Sequence, residues 1–480
     1  MRPISRRAFL GVGGLGVASL LAGGAETAGL LGELDAVTGS ELRQPEVLTS
    51  SGGVLDVLLV AGLREHRVAG ARARTLTYNG GVPGPTLRLR PGDRLGVELV
   101  NRLEQATNLH MHGLQVSPGG DADNVFRSVA PGESARYRYE LGSRHPAGTH
   151  WYHPHLHGIV AEQVAGGLYG AIEVRDPSDD VDVDEERLLV VSDIALDGDG
   201  ELQGEPMAAH MTGREGDLVL VNGQRKPIVT ARRGERHRWR VVNACASRYL
   251  DLQADGLALT LLARDGHRLP AAGRVQSVAV VPGGRADILV DIEEPAAVLR
   301  TATVRRSAGG MMGAGVNNGA DLLSVRADGG GARRSARAPQ DVAPPEDLRR
   351  RQPARRRTLV MGTGGGMMGG SFTFDGRTYD SARVDQSVEA GAMEEWTIRN
   401  GSSMDHPFHL HVWPMQPISE NGRPVSATTR RDVVNVPAGG EVVVRIAFEE
   451  HQGRTVYHCH ILDHEDRGMM GVVESGGSPA

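Results

Sequence analysis

A short stretch near the C-terminus holds side chains that bind soft metal ions. Residues 457–470 read YHCHILDHEDRGMM. A thiolate with two imidazoles and a weak axial thioether is the ligand set of blue-copper electron-transfer sites, and sulfur donors favour copper over magnesium, calcium or manganese. Cys459 is the candidate thiolate, His464 one imidazole and Met469 the thioether. The stretch therefore predicts a mononuclear copper site.

Histidines also occur as His-x-His pairs, which suit a second kind of metal site. On a strand, His458 and His460 share one face while Cys459 points to the other, and the Cα atoms of a pair lie roughly 6.6 Å apart. Three more pairs occur: His110 with His112, His153 with His155, and His409 with His411. The four pairs supply enough imidazoles for a cluster of three copper ions. His406 lies an odd number of positions before His409, so it faces the other way and can complete the thiolate site.

An internal repeat explains how these ligands are distributed. The segments GDRLGVELVN at 92–101, GERHRWRVVN at 234–243 and GAMEEWTIRN at 391–400 share one Gly-to-Asn spacing and alternate polar with apolar residues, as half-buried strands do. Nine residues past the Asn, the first copy has His110 and the third has His409. The middle copy has Leu252 there, so it lacks the ligands.

The first and third copies differ at the thiolate site. In the first copy Pro154 stands where the third has Cys459, and Thr107 stands where the third has His406. Only the third copy can then hold the mononuclear copper. A cluster that uses all four pairs must lie at the interface between the first and third copies.

Length and composition agree with a division into three parts. The chain has 480 residues, of which 40% are apolar, enough for about three cores at ~100–200 residues per domain. Short alternating runs bounded by turn residues favour antiparallel β-sandwiches over helices. We predict an all-β protein with domains at residues 45–178, 185–325 and 358–476, and a solvated linker at 326–357 that is rich in Gly, Pro and Arg. The formal charge of −6 gives no reason to expect nucleic acid as a partner.

The N-terminus has the layout of an export signal. Arg6 and Arg7 precede a Gly- and Leu-containing apolar stretch and a run of small residues that ends near position 28. The apolar stretch is too short and too Gly-rich for a membrane span, which needs roughly 20 apolar residues. We expect residues 1–28 to direct export by the twin-arginine route, to the periplasm or the extracellular side of the cell envelope. Cys245 and Cys459 are the only cysteines, so with one thiol committed to copper we expect no internal disulfide.

In combination, the motifs HMHG at 110–113, WYHPH at 151–155, HPFHLH at 406–411 and HCH at 458–460 resemble those of the multicopper oxidases, particularly bacterial three-domain laccases and periplasmic cuprous oxidases. The resemblance covers essentially the whole chain after the signal. It implies three consecutive cupredoxin-like Greek-key β-sandwich domains and four copper ions. The implied ligands are His406, Cys459, His464 and Met469 for one type 1 copper, His110 and His409 for one type 2 copper, and His112, His153, His155, His411, His458 and His460 for two type 3 coppers.

The resemblance also implies a reaction. Electrons enter singly at the type 1 site and pass through the backbone of Cys459 to the cluster, where four of them reduce dioxygen to two waters. No ligand position is missing, which argues against the ligand-free relatives that serve as scaffolds. Carboxylates beside the cluster are expected to assist protonation. The candidates are Glu465 and Asp123, the latter chosen over neighbouring Asp121.

The electron donor is less well defined by the sequence. Laccase-like enzymes oxidise phenols and aromatic amines, whereas cuprous oxidases capture Cu(I) on methionines, which are soft ligands. Gly-flanked or ligand-adjacent methionines occur as Met311, Met312, Met361, Met367, Met368, Met404 and Met415, but this Met-rich content is sparse. We favour a laccase-like oxidase with some cuprous oxidase capacity. A copper-binding or electron-transfer protein without oxidase turnover would have no use for the four His pairs.

Overall fold

The structure is a computed structural model that describes residues 39–179, 181–207, 209–307, 315–330, 339–364 and 371–476. The predicted signal and the Met311-Met312 and Met367-Met368 segments lie outside these residues. Within them, the helices are Val160–Ala165 (α1), Ala209–Thr212 (α2) and Leu462–Asp466 (α3), with 3₁₀ turns at Pro177–Asp179 and Leu348–Arg350. None of the helices in the described ranges is long and apolar enough to cross a membrane.

The first sandwich contains nine strands: β1 Val47–Thr49, β2 Val54–Val68, β3 Ala71–Tyr78, β4 Thr86–Leu89, β5 Arg94–Arg102, β6 His110–His112, β7 Ser134–Glu140, β8 Gly148–His153 and β9 Gly170–Val174. One sheet has the order β3-β2-β5-β7 and the other β1-β4-β9-β8-β6. Alternation along β5 buries Leu95, Val97 and Leu99 against apolar residues of the facing sheet.

The second sandwich contains β10 Glu185–Ile194, β11 Leu218–Val221, β12 Ile228–Arg233, β13 Arg236–Asn243, β14 Leu250–Asp255, β15 Leu257–Arg264, β16 His267–Val275, β17 Ser277–Val280, β18 Arg285–Ile292, β19 Ala296–Thr301, β20 Val304–Arg305, β21 Val316–Asn317 and β22 Ala320–Gly330. Its sheets have the orders β11-β10-β13-β18-β15-β16 and β12-β22-β19-β14-β17, beside a ribbon of β20 and β21. Leu252, which takes the place of a ligand histidine, is a core residue here.

The third sandwich contains β23 Arg355–Gly364, β24 Ser371–Phe374, β25 Gln386–Val388, β26 Met393–Asn400, β27 His406–Leu410, β28 Met415–Glu420, β29 Arg423–Pro424, β30 Val433–Val436, β31 Glu441–Ala447, β32 Gly453–Cys459 and β33 Met470–Ser475. The sheet orders are β24-β23-β26-β31-β28-β29 and β25-β33-β32-β27-β30. The protein is therefore all-β and built from three consecutive cupredoxin-like sandwiches, as the resemblance implied.

The sheets are mixed rather than purely antiparallel. In every sandwich a long pair runs parallel: β2 with β5, β10 with β13, and β23 with β26. Parallel partners need a crossover connection instead of a hairpin, and here other strands intervene between the two partners along the chain. Hydrophobic alternation indicates a strand but carries no information on its direction, which is why the prediction of antiparallel sheets was incomplete.

The repeated segments form β5, β13 and β26, and each ends in a buried asparagine that organises the loop after it. Asn101 Nδ2 donates to the carbonyl oxygens of Gln105 at 2.8 Å and Val129 at 2.9 Å, while its Oδ1 accepts from the backbone N–H of Leu103. Asn243 and Asn400 make the same three kinds of hydrogen bond in their own sandwiches.

These asparagine contacts determine where the next strand begins. That strand is β6 in the first sandwich, β14 in the second and β27 in the third. It carries His110 and His112 in the first and His406 and His409 in the third. The common loop therefore places the ligand-bearing strands at equivalent positions in two different domains.

Both ends of the segment predicted as a solvated linker belong to strands of the neighbouring sandwiches. At its N-terminal end β22 continues to Gly330 and buries Ala327, and at its C-terminal end β23 begins at Arg355. Leu348 is buried, and its backbone N–H donates to Gln416 Oε1 at 2.9 Å. The many arginines led to the prediction that the whole segment is solvated. Average composition does not show that single apolar residues between the arginines, such as Leu348, are buried.

Candidate metal centre

Three elements of the third sandwich converge at one sulfur atom. His406 begins β27, Cys459 ends β32, and His464 lies in α3. The Sγ atom of Cys459 lies 3.4 Å from His406 Nδ1 and 3.8 Å from His464 Nδ1, and the two nitrogens are 3.2 Å apart. All three side chains are buried. Ligand atoms bound to one metal ion at about 2.0–2.3 Å have separations of this size, so the structure brings these three predicted ligands together.

The outer nitrogens of both imidazoles are already engaged. His406 Nε2 lies 2.8 Å from Ser402 Oγ, and His464 Nε2 lies 3.2 Å from the carbonyl oxygen of Met211. A carbonyl can only accept, so His464 carries its proton on Nε2 and presents the Nδ1 lone pair to the sulfur. Burial lowers the pKa of His406 to about 3, which keeps that ring in its neutral, ligating form.

The two adjacent methionines at the end of the motif point to different parts of the structure. Met469 packs in the same core cluster as Cys459, and its carbonyl oxygen accepts from the Cys459 backbone N–H at 3.0 Å. Met470 packs instead with Val125, Val456 and Val472. Of these two adjacent methionines, Met469 is the one that shares a core cluster with Cys459, which agrees with the prediction of Met469 as the axial thioether.

The eight paired histidines come from two sandwiches and meet at their interface. In the first, His110 pairs with His153 across β6 and β8, and in the third, His409 pairs with His458 across β27 and β32. The second histidine of each motif is His112, His155, His411 or His460. Every one of the eight is at most 2% exposed.

Rings from the two sandwiches stack on each other across this interface. His110 stacks on His411 and His112 stacks on His409, each with ring centroids 3.9 Å apart. Ligand atoms within 4.8 Å of one another form the sets His110/His409/His411, His110/His112/His153 and His155/His411/His458. His460 belongs to none of these sets, although its ring centroid lies 5.0 Å from that of His112.

The hydrogen-bonding state of the cluster shows that it suits a metal. The Nε2 atoms of His155 and His411 lie 3.1 and 3.2 Å from Nε2 of His458, so three nitrogens face one point. Nitrogens left buried without a hydrogen-bond partner include His110 Nε2, His112 Nδ1, His153 Nε2, His409 Nε2 and both nitrogens of His460. Buried polar atoms are normally paired. Neutral imidazoles with inward lone pairs, beside a separate thiolate site, are the donor set that copper accepts.

Of the two candidate aspartates, the structure places only Asp123 at the cluster. Asp123 is 1% exposed, its Oδ2 lies 2.9 Å from His110 Nδ1, and its Oδ1 accepts from the Met111 backbone N–H. Burial raises the pKa of Asp123 to about 7. Asp121 lies at the surface, with its carboxylate 3.8 Å from Arg138.

Glu465 contacts two other histidines of the cluster. Its Oε2 is 3.0 Å from His458 Nδ1 and its Oε1 is 3.5 Å from His155 Nδ1. Burial raises the pKa of this carboxyl group, but the imidazoles of His155 and His458 outweigh burial and hold the pKa well below its usual range. Glu465 thus contacts a histidine from each of the two sandwiches.

Several residues beside the histidine cluster belong to no recognisable motif, and the sequence analysis missed them. Asp432 Oδ1 lies 3.2 Å from His112 Nε2, and Arg285 forms an ion pair with Asp432. Gly283 has φ +79°, and a Cβ atom there would lie 2.6 Å from His460 Nε2. Arg285 and Gly283 belong to the second sandwich, whose lack of ligands directed attention away from it.

Three cupredoxin-like sandwiches with a thiolate site beside an interfacial histidine cluster define a copper protein of the oxidase type. Family models described as multicopper oxidase match residues 63–179, 189–305 and 347–478. The chain belongs to the multicopper oxidase family.

Named relatives fall into different branches of this family. A laccase of Bacillus stratosphericus is 25% identical, with 82% of this chain and 89% of the relative covered. The cell division protein FtsP of Proteus mirabilis is 27% identical, with 98% of each covered. The solved structure of a Campylobacter jejuni multicopper oxidase, titled a metallo-oxidase, is 29% identical with a TM-score of 0.81, covering 91% of this chain and 95% of that one.

The positions of the two methionines generate a prediction about redox potential. An axial thioether donates electron density that stabilises Cu²⁺, so Met469→Leu should raise the potential of the thiolate copper. Met470→Leu, which changes only packing against Val456 and Val472, should leave it nearly unchanged. Spectroelectrochemical titration of the blue band measures both. A larger shift in the Met470 variant would move the axial assignment by one residue.

A second prediction uses the matched aspartates. Asp123→Asn should lower the rate of dioxygen reduction about 10–100-fold, the usual effect of removing a carboxylate that holds a ligating histidine. Asp121→Asn should leave the rate unchanged, since Asp121 contacts only Arg138 at the surface. Oxygen-electrode rates, with the intensity of the blue band as a check on loading, compare the two. Equal rates for both variants would remove Asp123 from its role.

Proposed function

We propose that this chain is a laccase-like oxidase that couples one-electron oxidation of phenolic or aromatic amine donors to the four-electron reduction of dioxygen to water. The observation that carries the proposal is a covalent connection between the two sites. Cys459 lies in the thiolate site, while its neighbours His458 and His460 lie in the cluster. Copper would supply the one-electron steps, and the strand end supplies the shortest route between the sites.

In this proposal the ligands keep the roles that the resemblance implied. The type 1 ligands are His406, Cys459, His464 and Met469, the type 2 ligands His110 and His409, and the type 3 ligands His112, His153, His155, His411, His458 and His460. Sets that mix both sandwiches, such as His155/His411/His458, support a shared cluster of three ions. Asp123 contacts His110 Nδ1 and Glu465 contacts His458 Nδ1, so each carboxylate can hold a proton at a cluster histidine.

An electron donor does not reach the type 1 imidazoles directly, because both are fully buried. Phe372 stacks on His464 with ring centroids 3.9 Å apart, and the carbonyl of Met211 covers His464 Nε2. Arg214 Nη2, 2.8 Å from Asp463 Oδ1, holds the Met211 segment against α3. Donors therefore dock on this segment, and electrons cross its hydrogen bond to His464.

A second candidate donor, Cu(I), is favoured by the side chains of the same segment. Met207 is 87% exposed and Met211 50% exposed, unusual values for large apolar residues, and His210 lies between them. Thioethers and imidazole are soft ligands that bind Cu(I). Met361, Met404 and Met415, by contrast, are buried in the core of the third sandwich. Cuprous oxidation is thus the alternative activity of the same site.

A protein without oxidase turnover is the candidate from another class. The name of the Proteus mirabilis relative refers to cell division, and a scaffold or a simple electron carrier would need no cluster. Each buried polar atom without a partner costs roughly 1–3 kcal/mol, and this chain retains several at the eight histidines. Metal ions bound at the cluster would offset this cost, which supports the oxidase.

Export by the twin-arginine route remains part of the proposal. Its support is the Arg6-Arg7 pair and the apolar stretch that follows. Replacing both arginines by lysine should retain the protein in the cytoplasm, whereas unchanged export would exclude this route.

The decisive experiment compares the wild type with Cys459→Ser and His409→Ala. The wild type should consume dioxygen steadily with a simple phenolic donor and release no peroxide. Cys459→Ser should lose the intense thiolate-to-copper band and turnover while it keeps the cluster coppers. His409→Ala should keep the band and lose turnover, because only the cluster is damaged. A copper-loaded wild type with a blue band but no oxygen uptake would establish an electron carrier instead.

The exposed methionines generate a prediction that separates the two donors. Replacing Met207 and Met211 by Ser removes soft donors while the Met211 backbone carbonyl remains. Cu(I) oxidation should fall, whereas phenol oxidation should be unchanged or rise. Oxygen uptake with each donor measures this, and Leu58→Ser, an exposed apolar residue of the first sandwich, is the control. Equal losses with both donors would show that the two methionines only support the segment.

A further inference from the structure

One buried arginine of the second sandwich contacts all three sandwiches. Arg285 Nε donates to the carbonyl oxygen of Thr149 in the first, at 3.2 Å, and Nη1 donates to the carbonyl oxygen of Gly283 in the second, at 3.1 Å. Nη1 also donates to Asp432 Oδ1 in the third, at 2.6 Å, and Nη2 donates to Asp432 Oδ2. The arginine is 1% exposed. A bidentate guanidinium contact fixes the plane of the carboxylate as well as its position.

Asp432 passes this constraint to one cluster histidine from each ligand-bearing sandwich. Its side-chain Oδ1 lies 3.2 Å from His112 Nε2, and its backbone carbonyl accepts from His409 Nδ1 at 2.8 Å. Both acceptors engage the outer nitrogen of the ring. His112 Nδ1 and His409 Nε2 are left buried and without a hydrogen-bond partner, so each ring has one defined lone pair for a metal.

The geometry of the two rings agrees with this constraint. His112 and His409 stack with centroids 3.9 Å apart and planes 7° apart. The hydrogen bond made by one nitrogen of an imidazole sets which of the two nitrogens carries the proton. Arg285 also contacts Asp265 at 3.8 Å, which ties it to its own sandwich.

We propose that the Arg285–Asp432 pair positions His112 and His409 for metal binding. Through Arg285, the second sandwich would then contribute to the copper cluster although it supplies no ligand. The inference rests on the ligand roles proposed above. Arg285 holds the Asp432 carboxylate against His112, and that carboxylate sets which nitrogen of His112 bears the proton. In this proposal neither residue binds copper: Asp432 lies within reach of a shared metal with His112 and His409, but its oxygens contact the outer nitrogens of both rings. Hydrogen-bonding partners of ligating histidines typically contribute 10–100-fold to metal affinity.

The competing explanation is that the pair only joins the domains. A matched variant separates the two, because Arg238 lies in the same sheet, is also 1% exposed, and pairs with Asp287 at 2.6 Å. Arg238 contacts none of the predicted ligands in the described structure. Loss of Arg238 should therefore cost stability by removing one of the two arginines that pair with the buried Asp287 carboxylate, without an effect on the cluster.

The test uses the full chain, freed of metal and titrated with copper, as wild type, Arg285→Met and Arg238→Met. Copper affinity and stoichiometry, together with the melting temperature of the metal-free protein, are measured for each. Both variants should lower the melting temperature. Only Arg285→Met should weaken binding of the cluster coppers, by about 10–100-fold, while the blue band of the thiolate site keeps its wild-type intensity. Wild-type copper affinity in Arg285→Met would overturn the proposal.

A milder variant covers the case in which Arg285→Met does not fold. Arg285→Lys keeps the charge but replaces the bidentate contact by a single point contact. We expect an intermediate loss of cluster copper, and unchanged affinity would overturn the proposal equally. A wild type that binds only the thiolate copper would instead refute the proposed function, so the two failures are distinguishable.

Discussion

Burial of eight imidazoles at one interface is the constraint on which this structure depends. Their side chains are buried from bulk solvent, and several of their nitrogens have no protein partner. In the folded protein, a metal ion bound to these nitrogens would take the place of the missing hydrogen-bond partner. The asparagine loops, the stacked rings across the interface and the outer-nitrogen contacts all serve to direct lone pairs towards shared points.

The residues that the sequence analysis predicted share one property, which is that they lie within short motifs. Strand alternation assigns His458 and His460 to one face and Cys459 to the other, and the structure shows that arrangement. The Gly-to-Asn repeat located β5, β13 and β26, because a strand and its capping loop are local features. Glu465 and Asp123 were predicted from the family resemblance, and only Glu465 directly follows a ligand in the chain.

Residues that act across domains gave no such signal. Asp432 and Arg285 are distant in sequence from His112, and nothing in their immediate surroundings marks them as partners of a ligand. The parallel strand pairs and the buried Leu348 were missed because direction and long-range packing are not encoded in alternation or average composition. The cover that Met211 forms over His464 also depends on how two sandwiches pack, so no local motif indicates it.

The thiolate site is complete within the third sandwich, whereas the sets His110/His409/His411 and His155/His411/His458 need the first sandwich as well. This difference has a consequence for the order in which the protein matures. If the third domain folded before docking, it would hold the ligands of the thiolate site but could not assemble these shared sets. Under the proposed function, dioxygen reduction would then begin only after the first and third domains have docked.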